Sequence, residues 1–226
     1  MHDKAALRRE LLGVLKEMGP ENIWRDVFDE NGNKLASGHE DFRSTTPDDL
    51  AAVDYRGKTV LDLGCNLGTY AFIAGRRGAV RVVGVDSDAL PIRACGLLSE
   101  LYGLEGMEFR CGDFIREPVT ERFDIVQLIN FIGRRSLVKG IQPLLDVCRN
   151  SVREQLILSI RRTYPIQRGL SVEPEQIITT YGSRYVKDGI FDAAAFVQEY
   201  LAVPFQQISP EYDDTTLKRT FLFSFS

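Results

Sequence analysis

Between residues 60 and 88 the chain reads VLDLGCNLGTYAFIAGRRGAVRVVGVDSD. An apolar run ends in a glycine-bracketed turn, a helix-like stretch follows, and a second apolar run ends in acids. Gly64 and Gly68 let the main chain approach a ligand closely, and a helix starting near Thr69 offers unpaired N–H groups to it. Asp86 lies about twenty residues beyond Gly64, the offset at which a carboxylate reaches the two hydroxyls of a ribose. The turn departs from the dinucleotide pattern: Asn66 stands where the second glycine would be, and Tyr70 and Ala71 bracket the place of the third. An adenosine-type ligand without a pyrophosphate therefore fits better. A third run ends in Cys111-Gly112-Asp113-Phe114, which adds an acid to bind an adenine amino group and an aromatic to cover its ring.

The elements that must position these residues follow from periodicity. From Thr59 onward, Val-, Ile- and Leu-rich runs alternate with helical stretches: TVLDLG, a helix over 69–77, RVVGVD, a helix over 89–102, MEFRCG, FDIVQLIN, a helix over 136–150, and QLILSI. That alternation predicts parallel strands covered on both faces, an α/β doubly wound sheet. VPFQQIS (203–209) and TFLFSFS (220–226) have no helix between them, so they are expected to pair antiparallel at one edge. Upstream, Leu7, Leu11, Leu12 and Leu15 recur at helical spacing over 5–18, with Gly19-Pro20 as the stop. Two short runs flanking Asn31-Gly32 predict a hairpin over 23–37.

The chain has 226 residues, 44% of them hydrophobic, enough to bury a core without staples. Cys65, Cys95, Cys111 and Cys148 are scattered, lack CxxC spacing and fall in core or turn segments, which predicts reduced thiols in a cytoplasmic protein. No apolar run reaches membrane-spanning length, so no membrane partner is expected. A formal net charge of −4 exerts no global pull toward nucleic acid.

With VLDLGCNLG, VVGVDSD, CGDF and FDIVQLIN in this order, the chain resembles the class I S-adenosylmethionine-dependent methyltransferases, over 56–226. The resemblance implies a mostly parallel seven-stranded sheet with an antiparallel C-terminal edge pair, and residues 1–55 as a helix-and-hairpin cap beside it. It implies S-adenosylmethionine as cofactor and S-adenosylhomocysteine as product, with the methionine moiety near Asp62 to Gly68 (Asp62, Gly64, Cys65, Asn66, Gly68). It also implies ribose hydroxyls on Asp86, adenine near Ser87, Asp113 and Phe114, and Asn130 facing the methyl-transfer site. Looser features from Trp24 to Gly68 are similar to the tRNA uridine carboxymethyltransferase subgroup.

Plainer roles compete at each position. Asp62 also suits a structural acid bonding its own turn, Asp86 a helix N-cap, and Asp113 a solvated loop acid. Cys65 reads as a small turn residue, because no His or second Cys is near it in sequence to activate it. His39, one of two histidines, stands in SGHEDF after the hairpin, as a surface residue or part of the site wall. Arg161, Arg162, Tyr164, Arg168, Tyr181, Arg184 and Tyr185 follow the fifth strand, as an acceptor wall or a solvated loop; among them Arg161 and Tyr164 join His39 as substrate candidates.

Methyl transfer from a sulfonium is an in-line displacement that asks mainly for alignment and water exclusion. QLINFIG lacks an NPPY-like run and a Pro-Cys pair, and no metal site is expected from the His, Asp and Asn spacing. Three readings stay open: a methyltransferase for a small-molecule acceptor, an RNA-modifying methyl- or carboxymethyl-transferase, and a non-catalytic S-adenosylmethionine-binding protein. The acidic chain favours the small molecule, and the Lys/Arg excess over 131–190 is the argument for RNA.

Overall fold

The computed structural model describes residues 3–39 and 47–225; the remaining parts of the expected cap (1, 2 and 40–46) and of the terminal strand (226) lie outside the described residues. Helix α1 (Lys4–Met18) starts where the Asp3 carboxylate accepts the Ala5 N–H at 2.9 Å, and it stops at Gly19, whose φ is 77°. Its buried stripe is Leu11, Val14, Leu15 and Met18. Leu12, counted with the apolar face in the sequence reading, is 45% exposed; Val14 and Met18 complete the stripe instead. Strands β1 (Val27–Phe28) and β2 (Lys34–Ala36) form the antiparallel hairpin about Asn31-Gly32, where the Asp29 carboxylate accepts the Asn31 and Asn33 N–H groups.

The alternating region follows as β3 (Thr59–Leu63), α2 (Thr69–Arg76), β4 (Arg81–Asp86), α3 (Ala89–Tyr102), β5 (Met107–Cys111) and β6 (Phe123–Leu128). The single helix expected over 136–150 is two, α4 (Arg134–Lys139) and α5 (Gln142–Ser151). Gly140 at φ 96° ends the first, and Pro143, which lacks an N–H, sits in the first turn of the second. Strand β7 (Val152–Ile160) comes next.

The stretch after β7 is no loop. It folds as β8 (Thr163–Pro165), a wide helical turn over Ile166–Leu170, α6 (Pro174–Tyr181), β9 (Val186–Lys187), β10 (Ile190–Asp192) and α7 (Ala193–Leu201). Here β8, β10 and β9 make a three-stranded antiparallel sheet, in that order. Strands β11 (Phe205–Gln207) and β12 (Arg219–Ser224) then complete a seven-stranded sheet of order β11-β12-β7-β6-β3-β4-β5, with the last two strands antiparallel at the edge as expected.

The described residues group into two compact units, 3–39 with 54–118 and 47–53 with 119–225. In the first, α1 packs on α3, and Leu11, Val14, Leu15 and Met18 share one core with Leu67, Phe72, Leu97, Leu98 and Leu101. Each such leucine stabilises by about 1.5–3 kcal/mol when fully buried. The Tyr102 hydroxyl donates to the Phe28 carbonyl at 2.7 Å and ties the hairpin to α3. In the second unit, Ile125, Val126 and Leu128 of β6, Leu156 to Leu158 of β7 and Phe221 to Phe223 of β12 are buried with Leu144, Leu145 and Cys148 of α5. A second cluster stacks Tyr181 on Phe191, with ring centroids 4.5 Å apart, and sets Phe196 edge-on to Tyr181 and Tyr185.

Among the described residues no helix is long and apolar enough to cross a membrane, and no group of three His, Cys, Asp or Glu is placed to hold a metal ion. Because α1 is part of the first unit's core, Leu11→Ala is expected to cost about 2–5 kcal/mol in urea unfolding, while Leu12→Ala one position on stays within about 0.5 kcal/mol of the parent. Similar losses at both positions would contradict the packing described.

Candidate functional site

The turn between β3 and α2 is built from left-handed residues. Gly64, Asn66 and Gly68 have φ of 70°, 46° and 72°. Asparagine is among the few side chains that tolerate this region. The N–H groups of Gly64 and Cys65 both donate to the Val85 carbonyl, at 2.8 and 3.1 Å, so the turn hangs from the end of β4. A Cβ on Gly68 would stand 2.8 Å from the Phe72 ring, and one on Gly84 would stand 2.7 Å from Phe109 and 3.0 Å from the Cys65 sulfur. Gly84 was missed from sequence, although a glycine inside the run RVVGVD is the usual mark of a close approach. Helix α2 has Gly68 as its N-cap and therefore no side-chain cap.

Two carboxylates bracket this turn. Asp62 is 1% exposed, and its Oδ2 has no hydrogen-bond partner among the described residues. Burial pushes its pKa up from 3.8 to about 7; a hydrogen bond from the Ala71 main chain opposes the rise, and the Asp86 charge adds to it. Asp86 accepts the Asn66 N–H on Oδ2 at 2.9 Å and the Asp88 N–H on Oδ1 at 3.1 Å. The N-cap of α3 is Asp88, whose carboxylate takes the Leu90 N–H, so Asp86 is not that helix's cap. Each Asp86 oxygen retains a lone pair for a further donor.

Cys65 is buried, and the Cys95 thiol and burial together hold its thiol in the protonated form. The sequence shows no second cysteine near Cys65, but the fold points the Cys65 and Cys95 sulfurs at the same Asn66 carbonyl, at 3.7 and 3.2 Å. A thiol so protected is a packing group. All four cysteines are free, but Cys111, read as core or turn, is exposed at the end of β5, with its sulfur donating to the carbonyl of exposed Ser87 at 3.6 Å. The Asp113 carboxylate takes the Ile115 N–H at 3.0 Å and pairs with Arg116 at 3.5 Å, while Phe114 is buried.

The other candidates divide between the units. His39 is exposed, with its N–H on the Ile23 carbonyl. In the second unit Asn130 follows β6 at φ 59°, its N–H on the Ser159 hydroxyl at 2.6 Å and its carbonyl accepting from the Lys218 ammonium at 3.0 Å. Ser159 and Lys218 carried no sequence signal, because the pairing of β12 with β7 is what places them. Arg161 lies with its guanidinium 5.8 Å from the centroid of the Tyr164 ring. Tyr181 and Tyr185 belong to the aromatic core and bond the Leu137 carbonyl and the Glu199 carboxylate, respectively. Arg162 pairs with Glu211, Arg184 pairs with Glu199, and Arg168 is exposed.

The family model for a methyltransferase domain matches residues 54–163. The ribosomal protein L11 methyltransferase of Porphyromonas gingivalis (strain ATCC BAA-308 / W83) is 32% identical over 92 residues, 41% of this chain and 32% of that protein. The protein of the same name from Escherichia coli (strain 55989 / EAEC) is 37% identical over 89 residues, 36% of this chain and 30% of that protein. The chain thus spans about a third of the length of the curated relatives it matches. The N-terminal domain of EvdMO1, solved with SAH bound, superposes over 99% of this chain and 98% of its own at a TM-score of 0.66 and 18% identity, a likeness of fold.

The Asp62 carboxyl leaves a signature on stability. Its pKa is about 7 folded and 3.8 unfolded, so between these values the folded chain holds the extra proton. Stability from this group is complete below pH 3.8 and falls as pH rises toward 7, by on the order of 4 kcal/mol. Urea midpoints of the ligand-free protein from pH 5 to about 8 are expected to decline, and Asp62→Asn to flatten the decline. Equal slopes would show that Asp62 titrates as a solvated acid.

Proposed function

We propose that this chain, whose residues 54–163 match the model of a methyltransferase domain, transfers a methyl group from S-adenosylmethionine to a small-molecule acceptor. The observation that carries the reading is the buried, unpartnered Oδ2 of Asp62 below a turn of left-handed residues. A buried carboxylate oxygen without a donor calls for a cation, and the α-ammonium of a methionine moiety is one. Asp86, at the end of the neighbouring strand, keeps lone pairs for two ribose hydroxyls while it holds the Asn66 N–H. The Gly68 N-cap leaves main-chain donors of α2 for the methionine carboxylate.

Bound S-adenosylmethionine supplies an electrophilic methyl group on a sulfonium. The protein's share is to align an acceptor and keep water away. Arg161 and Tyr164 are the acceptor candidates of the second unit, and Asn130 is the candidate there for the methyl-transfer site. Asn130 is held in its left-handed conformation by Ser159 and Lys218, which suits a residue that must present fixed polar groups.

A small molecule is favoured over RNA because the arginines of 131–190 are largely engaged within the fold. Arg134 donates to the Leu170 carbonyl, Arg149 to the Tyr200 carbonyl, Arg153 pairs with Asp124, Arg162 with Glu211, and Arg184 with Glu199. Such cations are poorly placed to follow a phosphate backbone.

Calorimetry with S-adenosylmethionine, S-adenosylhomocysteine and NAD is the test of the cofactor. Both sulfur ligands are expected to bind more tightly than NAD, and Asp86→Ala to lose roughly 2–4 kcal/mol of affinity for them, the scale of removing a charged hydrogen-bond partner. NAD binding as tight as theirs, or an unchanged affinity in the variant, overturns the assignment. With methyl-labelled cofactor and a cell extract, label is expected in the small-molecule fraction; label confined to RNA or protein overturns the acceptor class.

A further inference from the structure

We propose that Arg161 and Tyr164 form an oxyanion subsite, so that the acceptor carries a carboxylate or a phosphate group. This rests on the methyl-transfer reading and deepens its acceptor half. Arg161 is the first residue after β7, at the carboxyl end of a strand in the parallel part of the sheet, the edge at which open α/β sheets bind ligands. It is partly buried, and no carboxylate among the described residues lies within ion-pair distance of it. Its neighbours differ: Arg162 pairs with Glu211 at 2.7 Å, and the same carboxylate lies 3.8 Å from Arg219. A guanidinium taken partly out of water without a counter-charge carries a desolvation cost that an anion relieves.

Tyr164 supplies the second donor. Its ring is fixed by the pairing of Tyr164 with Phe191 across β8 and β10, and it is 5% exposed. Its hydroxyl is buried, and the hydroxyl proton has no acceptor among the described residues. The Arg161 amide and guanidinium only partly offset the rise that burial imposes on the phenol's pKa. The Arg161 guanidinium lies 5.8 Å from this ring's centroid, so a planar fork of N–H donors and the phenol that carries an O–H donor share one neighbourhood. That set matches a carboxylate or phosphate, which accepts two parallel N–H bonds and a third bond beside them. A neutral hydroxylated ligand would leave the cation uncompensated. Lys218 precedes Arg219, which pairs with Ile160, so its ammonium enters at this same end of β7 and adds to the positive potential.

The probes are inorganic phosphate and malonate, titrated into the protein saturated with S-adenosylhomocysteine. The parent is expected to bind at least one of them at millimolar concentration, and the stronger of the two assigns the acceptor's group as phosphate or carboxylate. Arg161→Gln is expected to weaken that binding by roughly tenfold or more, with Arg161→Lys in between because it keeps the charge and loses the fork. Tyr164→Phe, which keeps the ring, is expected to weaken it a few-fold, and all three variants to retain S-adenosylhomocysteine binding as evidence of folding. No binding of either anion to the parent, or parental binding by Arg161→Gln, overturns the subsite. Total RNA that displaces phosphate and binds with a steep salt dependence overturns it as a small-acceptor site. If S-adenosylhomocysteine itself does not bind the parent, the methyl-transfer reading fails, and the same titrations on the ligand-free protein still decide the subsite.

Discussion

The bond from the Asn66 N–H to the Asp86 carboxylate joins the ends of two adjacent parallel strands across a turn that no ordinary backbone would follow. Three left-handed residues in five bring the main chain back on itself, and the Val85 carbonyl receives two successive N–H groups to hold it there. The turn can take this shape because Gly68 and Gly84 leave room for Phe72, Phe109 and the Cys65 sulfur. The adjoining Leu67 and Phe72 enter the core that α1 and α3 share. The geometry of the turn and fold stability in the first unit are therefore one problem. The ionisable cost of the arrangement falls on Asp62, a buried acid whose pKa is raised to about 7 and whose second oxygen has no partner among the described residues.

The second unit solves a different problem, that of placing polar groups at the carboxyl ends of strands without leaving them loose. Asn130 is pinned by a hydroxyl from β7 and an ammonium beside β12. The chain after β7 builds its own sheet and aromatic core, so Tyr164 stands on a strand. Side chains on such elements hold geometry more tightly than side chains on loops. Most arginines of this region are absorbed into ion pairs and carbonyl contacts; Arg135 and Arg168 have none among the described residues but are exposed, whereas Arg161 is partly buried without such a pair.

What was legible in the sequence follows the range of the interactions. The strand and helix order, the edge pair and the Gly64–Gly68 turn depend on local periodicity and local glycines, and each was readable. The break at Gly140-Pro143 was signalled by local chemistry and passed over in favour of a longer apolar period. The unit between β7 and β11 was missed because its strands are two or three residues long, too short for alternation to show. Asp86 was singled out by its spacing and Asp62 by the family resemblance, but the Asn66 tie, the Cys65–Cys95 neighbourhood and the hydrogen bonds of Ser159 and Lys218 all arise from tertiary pairing. Tyr181 and Tyr185 show the opposite error. Polar tips in a charged stretch suggested a surface, yet their rings hold a core together.

The central claim is that Asp62 receives the cation of the bound cofactor. Titration of S-adenosylhomocysteine near pH 6.5, in buffers of differing ionisation enthalpy, measures it directly. An ammonium placed at Oδ2 lowers the raised pKa of the carboxyl, so binding is predicted to release a substantial fraction of one proton, about half or more, and Asp62→Asn to bind without release. Tight binding with an enthalpy independent of buffer in the parent protein would contradict the account.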